Sequence, residues 1–439
     1  MLGNVLSTGE ASAILFGVFF TLMFLRVPVA VALGLACLPI SLIEPHLGPM
    51  MLLGETFNAF NSFILLAVPL FLLTANLMNI GGITDRLMTL ARSLVGHFPG
   101  ALAQVNVVLS IFFAGISGSS TADAASQGKI FIHAQVKEGY DLSFSVAITA
   151  VSSVLAVIIP PSILMIVWGG ILSVSIGGLF IAGILPGLLI GLVQMATVHF
   201  YAKNRGYPTY ERTPWRETLC ALAKAAPALA TPGIIIGGKI FGWFTPTESA
   251  AVAVLYATFL SVFVYRELDL KGAGTALLET GRLASSALFC VGTASAFGWL
   301  LAYFKIPEVI LSGVVGWEMS RTETGFFIAL VFLVVGCFLD AIPSIIIVGT
   351  LLQPISVAAG MHPIHFAMVG IVSLAFGLVT PPYGLCLMIS AAIGGISIRA
   401  VLKDVCLMLL PMLGVLALLI MVPDVALFLP STLTPDYVR

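Results

Sequence analysis

Charge is scarce in this chain. Of its 439 residues only 9% are charged, 19 Lys+Arg against 20 Asp+Glu, for a formal net charge of −1. Soluble proteins carry roughly a quarter charged residues. So few cannot cover a water-exposed surface, which excludes a soluble globular enzyme and a disordered chain. The missing basic field excludes a nucleic-acid binder. Cysteine offers no framework either. Cys37, Cys220, Cys290, Cys337, Cys386 and Cys406 are scattered, with no CxxC pair, and read as small apolar core residues. No HExxH is present. His362 and His365 stand beside Pro363 and fit the start of a helix better than a metal pair. No GxxxxGK[ST] or GxGxxG marks an ATP or dinucleotide site. Any transport must then draw on an ion gradient or a partner. An intramembrane enzyme is likewise unsupported, for no GxSxG or paired catalytic acids occur. The N-terminus lacks a basic region and an A-x-A cleavage site, so the run 11–25 is expected to be a retained span.

What the chain has in abundance is apolar sequence, 59% of residues, together with 43 Gly and 24 Pro. At about 20 residues per span this allows at most roughly 13 span-equivalents. The apolar runs fall at about 11–25, 27–43, 63–80, 100–116, 142–159, 176–200, 225–243, 247–265, 275–303, 325–339, 341–358, 363–380 and 401–422. The segments 48–62 and 84–95 are more polar and predict interfacial helices. The richest basic stretch, 203–224, holds Lys203, Arg205, Arg212, Arg216 and Lys224. The bias of basic residues toward the cytoplasm places it inside. The N-terminus and C-terminal tail then lie outside.

Two stretches match at an offset of 221 residues, 115–161 and 336–382, with Gly115 on Gly336, Gly139 on Gly360 and Pro160-Pro161 on Pro381-Pro382. A weaker match sets 27–33 beside 245–251. An odd number of crossings per half inverts the second copy. The expected fold is therefore an all-α polytopic membrane protein. It is an inverted repeat of about five transmembrane helices plus one re-entrant hairpin each, about ten full crossings in all. The first repeat is 1–202 with a hairpin at about 100–137. A cytoplasmic linker follows at 203–224. The second repeat is 225–439 with a hairpin at about 325–358. Inverted repeats place binding sites near mid-membrane where they meet.

The first hairpin tip, 114–126, crowds Gly115, Ser117, Gly118, Ser119, Ser120, Thr121 and Asp123 into an apolar context. Unwound backbone survives at that depth only inside protein or along a cavity. Hydroxyls and freed carbonyls are hard oxygen ligands for a small cation. The helix N-terminus that follows suits a carboxylate. Small-residue helix packing would explain the same composition. Asp123 reads equally as a ligand or as a helix N-cap. At the second tip, 336–344, Asp340 and Pro343 interrupt an apolar helix, and Asp340 is a site residue or a cap. Proline removes N–H donors. The Pro-Pro breaks are therefore expected to free the carbonyls of Ala156 and Ile159, and of Gly377 and Thr380. That makes a charge-free cage suited to Na+, with plain kinks as the other reading. Glu248 is expected to cap the helix that begins at Pro246.

Taken together, "SGSSTADAA", "GYDLSFSVAITA", "IIPPSILMIVWG", "SIGGLFIAGILPGLL", "FTPTESAAVAV" and "GLVTPPYGL" resemble the large membrane subunit of tripartite ATP-independent periplasmic (TRAP) transporters, the DctM family. The resemblance implies an ion-transporter-superfamily protein that works as an elevator in the bacterial inner membrane. It implies a small four-helix membrane subunit as a separate chain, and a periplasmic binding protein that delivers an organic acid. It implies uptake coupled to Na+. It would place one Na+ site at Ser117, Ala156, Ile159 and Pro160, and another at Gly336, Gly377, Thr380 and Tyr383. The substrate region would lie at Ser119, Ser120, Thr121 and Asp123. An autonomous exchanger of the same superfamily, needing no partner, is the alternative.

Overall fold

The computed structural model describes residues 5–315 and 317–437. Every regular element among them is helical. Seven helices are long and apolar enough to cross a membrane: Phe63–Ile80, Ile176–Arg205, Trp215–Ile240, Pro246–Val264, Leu270–Tyr303, Ala341–Ala358 and Ile398–Met421. The other apolar helices are shorter, among them Leu142–Val157, Ile163–Leu172, Pro363–Gly377 and Leu385–Gly394. Apolar runs therefore overstate unbroken helix. The run 142–159 ends in a single 3₁₀ turn, Val154–Val157, ahead of Pro160 and Pro161, which have no N–H with which to extend it.

The repeat reappears in the element boundaries. Ala101–Ser117 and Ser120–Lys137 form one helical hairpin, and Arg321–Gly336 and Ala341–Ala358 the other. Ser120 and Ala341 start helices 221 positions apart, as do Leu142 and Pro363. Pro160-Pro161 and Pro381-Pro382 are both cis.

Helix packing divides the chain into two groups. The helices Thr8–Phe24, Val29–Ile43, Pro49–Phe60, Ala67–Ile80, Trp215–Ile240, Pro246–Phe259 and Leu270–Tyr303 pack on one another. The first hairpin packs with Leu142–Ser153, Leu385–Gly394 and Ile176–Arg205, the second with Pro363–Gly377 and Ile398–Met421, and these five helices pack on one another. The amphipathic Ile83–Val95 bridges the groups, touching both Trp215–Ile240 and Ala101–Ser117. At 34 residues, Leu270–Tyr303 is about 51 Å long at 1.5 Å per residue, more than the roughly 30 Å hydrocarbon core. At the centre, Leu142–Ser153 and Pro363–Gly377 are buried almost throughout. There Trp168 is fully buried against Phe332 and Phe366, with ring centroids 5.5 and 5.2 Å away.

The basic stretch 203–224 is narrower as a loop than its composition suggests. Helix runs to Arg205 and resumes at Trp215, leaving 206–214 non-helical. Gly206 stops the first helix in a left-handed cap (φ +67), and Pro214 precedes the next. The loop is tied down. The Tyr207 hydroxyl donates to Asp141 Oδ2 (2.8 Å), and Tyr210 donates to the Glu138 carboxylate (2.5 and 2.6 Å). Arg205 pairs with Asp141, and Arg92 lies over the Tyr210 ring. At 246, Thr245 and Glu248 form the expected reciprocal cap, and His362 caps the helix that starts at Pro363.

Candidate transport site

The first hairpin turns on two residues. Gly118 takes a left-handed conformation (φ +64), and a Cβ there would lie 2.7 Å from the Pro161 carbonyl oxygen. Only glycine satisfies both demands. Its own carbonyl accepts the Ile163 N–H (3.2 Å), which joins the tip to the chain just past the first proline pair. Ser119 is the helix cap, accepting the Ala122 N–H at 3.4 Å. It also shares a hydrogen bond with Thr121 Oγ1 (3.3 Å).

Asp123 is therefore not the cap. It sits one turn further on, 1% exposed, and its Oδ1 accepts the Ser117 hydroxyl at 2.6 Å. Its Oδ2 is buried with no partner among the described residues. A buried carboxylate oxygen left unpaired is costly unless a proton or a cation meets it.

The second hairpin docks by backbone contact. A Cβ on Gly377 would lie 2.7 Å from Gly336 Cα, and one on Gly336 would lie 3.1 Å from the Leu374 carbonyl oxygen. Past the turn, the Cys337 carbonyl accepts the N–H of Tyr383 (3.2 Å) and of Gly384 (3.4 Å). Asp340 caps the helix, its Oδ1 accepting the Ala341 N–H at 2.7 Å. One expectation requires correction. The Gly377 carbonyl is not freed by the proline break, for it accepts the Thr380 N–H at 3.0 Å. The chain closes a tight turn before the prolines, and the next carbonyl, that of Leu378, accepts the Cys386 N–H at 3.0 Å. The Thr380 hydroxyl donates to Phe376 O (2.7 Å), leaving its own lone pairs available.

A cavity of about 360 Å³ lies where the two tips meet the helices of the other group. Hairpin 1 contributes Gly118, Ser119, Ser120 and Thr121, and hairpin 2 contributes Asp340, Ala341 and Ile342. Val29, Ser286 and Cys290 close it from Val29–Ile43 and Leu270–Tyr303. Among the described residues no Lys or Arg lines it. The positive dipole ends nearest to it are the N-termini of Ser120–Lys137 and Ala341–Ala358, the latter capped by Asp340.

Of the residues singled out for substrate, Ser119, Ser120 and Thr121 line this cavity, and Asp123 stands behind it. The helix that ends at Ser117 packs on the turn Val154–Val157 that contains Ala156, with Ile159 and Pro160 just after that turn in the chain. Gly336 and Gly377 touch, with Thr380 close by in the same turn. The Tyr383 side chain is 45% exposed, so only its backbone faces the hairpin. The face supplied by Val29, Ser286 and Cys290 was not foreseen. The weak match between 27–33 and 245–251 touches the start of Val29–Ile43 but not Leu270–Tyr303. Among the described residues no three His, Cys, Asp or Glu side chains converge. Any cation held here must rely largely on hydroxyl and carbonyl oxygens, with at most two carboxylates.

Two broken-helix hairpins meeting at an internal cavity define a polytopic membrane transporter. Residues 16–425 match the family described as "Tripartite ATP-independent periplasmic transporter, DctM component". The chain is 35% identical to the sialic acid TRAP transporter large permease protein SiaM of Vibrio cholerae, over 88% of this chain and 90% of that one. It is 37% identical to the C4-dicarboxylate TRAP transporter large permease protein DctM of Pseudomonas aeruginosa, over 80% and 82%. The protein belongs to the DctM family of TRAP transporter large permeases, multi-pass proteins of the bacterial inner membrane. Its fold is shared with the YdaH transporter of Alcanivorax borkumensis, at a TM-score of 0.58 and 15% identity over 84% of this chain and 86% of that one.

Proposed function

We propose that this chain is the large subunit of a Na+-coupled importer for an organic acid anion. A periplasmic binding protein delivers the substrate, and a small four-helix membrane subunit completes the assembly. The cavity carries this reading. It is lined by hydroxyls and faced by two helix N-termini, an arrangement that attracts a carboxylate without a fixed basic side chain. Asp340 opposes an anion there, so a cation bound beside the tips would offset its charge. Na+ is the coupling ion in this reading, with Ser117, Ala156, Ile159 and Pro160 as its ligands at hairpin 1, and Gly336, Thr380, Tyr383 and the remaining lone pair of the Gly377 carbonyl at hairpin 2. Na+ would supply positive charge near the anion, and these oxygens would replace its water shell.

The division into two packed groups supports an elevator. The hairpin-bearing group would carry the cavity across the membrane against the long helices. The relatives carry sialic acid or C4-dicarboxylate in their names, and both are carboxylates. The test is uptake of radiolabelled organic acids into proteoliposomes, with the binding protein and a Na+ gradient added singly and together. Uptake only with both is the expected result. Full uptake without binding protein would favour an autonomous exchanger.

A further inference from the structure

We propose that a crevice where 206–214 meets Trp215–Ile240 holds the phosphate of an anionic phospholipid, making this end of the molecule a specific lipid site. The crevice is about 620 Å³, and its lining includes Ser93, His97, Arg212, Trp215, Thr218 and Leu219. Arg212 makes no ion pair or hydrogen bond among the described residues. His97 Nδ1 is buried without a partner. The helix that begins at Trp215 has no side-chain cap, so its N-terminus is open to an anion. Glu211 and Glu217 do not line the crevice, although Glu217 stands in the first turn of this helix.

The apolar side supplies the rest of a lipid. Trp215 is 68% exposed, and exposed Leu219 and Leu222 continue one face of the helix from it. Exposed Leu94 lines the crevice as well, and exposed Phe98 packs against the His97 ring, with centroids 4.3 Å apart. Tryptophan beside cationic groups is the pattern of a headgroup-level anchor, and basic crevices at the cytoplasmic ends of spans bind anionic headgroups. A neighbouring crevice provides the contrast. It is lined by Asp85, Arg86, Lys224 and Glu267, its charges balance, and Arg86 is already paired with Glu267 at 2.8 Å. That crevice has no net attraction for phosphate.

Trp215 makes the site directly readable. The full-length protein in detergent is titrated with phosphatidylglycerol or phosphatidylcholine carrying brominated acyl chains. The quenched fluorescence component is assigned by its loss in Trp215→Phe. Phosphatidylglycerol is expected to quench at lower concentration than phosphatidylcholine. Arg212→Ala should raise that midpoint about fivefold, the factor for one cation near an anionic headgroup. Lys224→Ala should leave it unchanged. Equal midpoints for the two lipids, or an unshifted midpoint in Arg212→Ala, would overturn the proposal. Competition by millimolar inorganic phosphate would show a free-anion site instead. Absence of quenching by either lipid in nanodiscs made from native membrane would show a protein contact there. Either result also overturns it.

Discussion

The backbones of Gly336 and Gly377 touch, leaving no room for a single added carbon: a Cβ on Gly377 would lie 2.7 Å from Gly336 Cα. This contact seats the second hairpin on the helix Pro363–Gly377, which is buried almost throughout. Its repeat counterpart, Gly115, instead faces Pro232 of the other helix group, with a Cβ 3.0 Å from the ring. The two halves share a plan but differ in which body each hairpin helix leans on.

Gly377→Ala should therefore do more harm than Gly115→Ala. The obstacle at 377 is backbone on a packed helix, and overpacking of this kind costs about 1–3 kcal/mol. Thermal unfolding in detergent should show a clearly lower midpoint for Gly377→Ala, and uptake should lose its Na+ response. A variant with unchanged Na+ dependence would remove Gly336 and Gly377 from the cation site.

Asp123→Asn keeps the shape of a buried side chain whose Oδ2 has no partner among the described residues. If that oxygen faces a cation, the Na+ concentration for half-maximal uptake should rise about tenfold or more, equivalent to ~1.4 kcal/mol. Ser117→Ala removes the Oδ1 partner as well and should cost about 1–3 kcal/mol of stability. Unchanged Na+ activation in Asp123→Asn would leave Asp123 a packing residue.

At Asp340 the cap and the charge can be separated. Asparagine is as good a cap as aspartate, and alanine costs about 1 kcal/mol. Asp340→Asn should leave the melting midpoint near that of the parent and change substrate uptake, because the side chain lines the cavity. Equal uptake by the parent and Asp340→Asn, with loss only in Asp340→Ala, would reduce Asp340 to a cap.

The linker predicts a pH dependence. Burial, then the hydrogen bond to Asp141, pushes the Tyr207 hydroxyl up to about 12. Burial, then the hydrogen bond to Glu138, does the same for Tyr210, also to about 12. The folded values lie above the free phenol value near 10. The stabilisation is thus complete below pH 10 and is lost as pH rises from 10 to 12. Alkaline unfolding of the parent should steepen in that window, and Tyr207→Phe with Tyr210→Phe should flatten it. An unaltered alkaline profile would show that the two hydroxyls contribute nothing to fastening the linker.

The membrane class, the helical fold and the repeat were legible in sequence because each rests on composition or spacing. Low charge and long apolar runs permit only helices in lipid. Gly118, Ser119 and the paired prolines break those helices wherever they occur. The helix boundaries at Ser120 and Ala341 obey the same spacing as the glycines and prolines.

What only the tertiary structure decided were relations between residues far apart in the chain. Spacing could not tell a cap from a buried carboxylate at Asp123, since that depends on whether Ser119 takes the capping position first. Nor could it show that the Gly377 carbonyl is taken up by Thr380, because tight-turn geometry, not proline content, sets that bond. The cavity needed Val29 and Ser286 as well as the hairpins; Val29 stands only in the weak match at 27–33, and Ser286 stands in no motif. Local chemistry marks where a helix must break. Which breaks meet, and what closes the space between them, depends on packing over distances that no periodicity records.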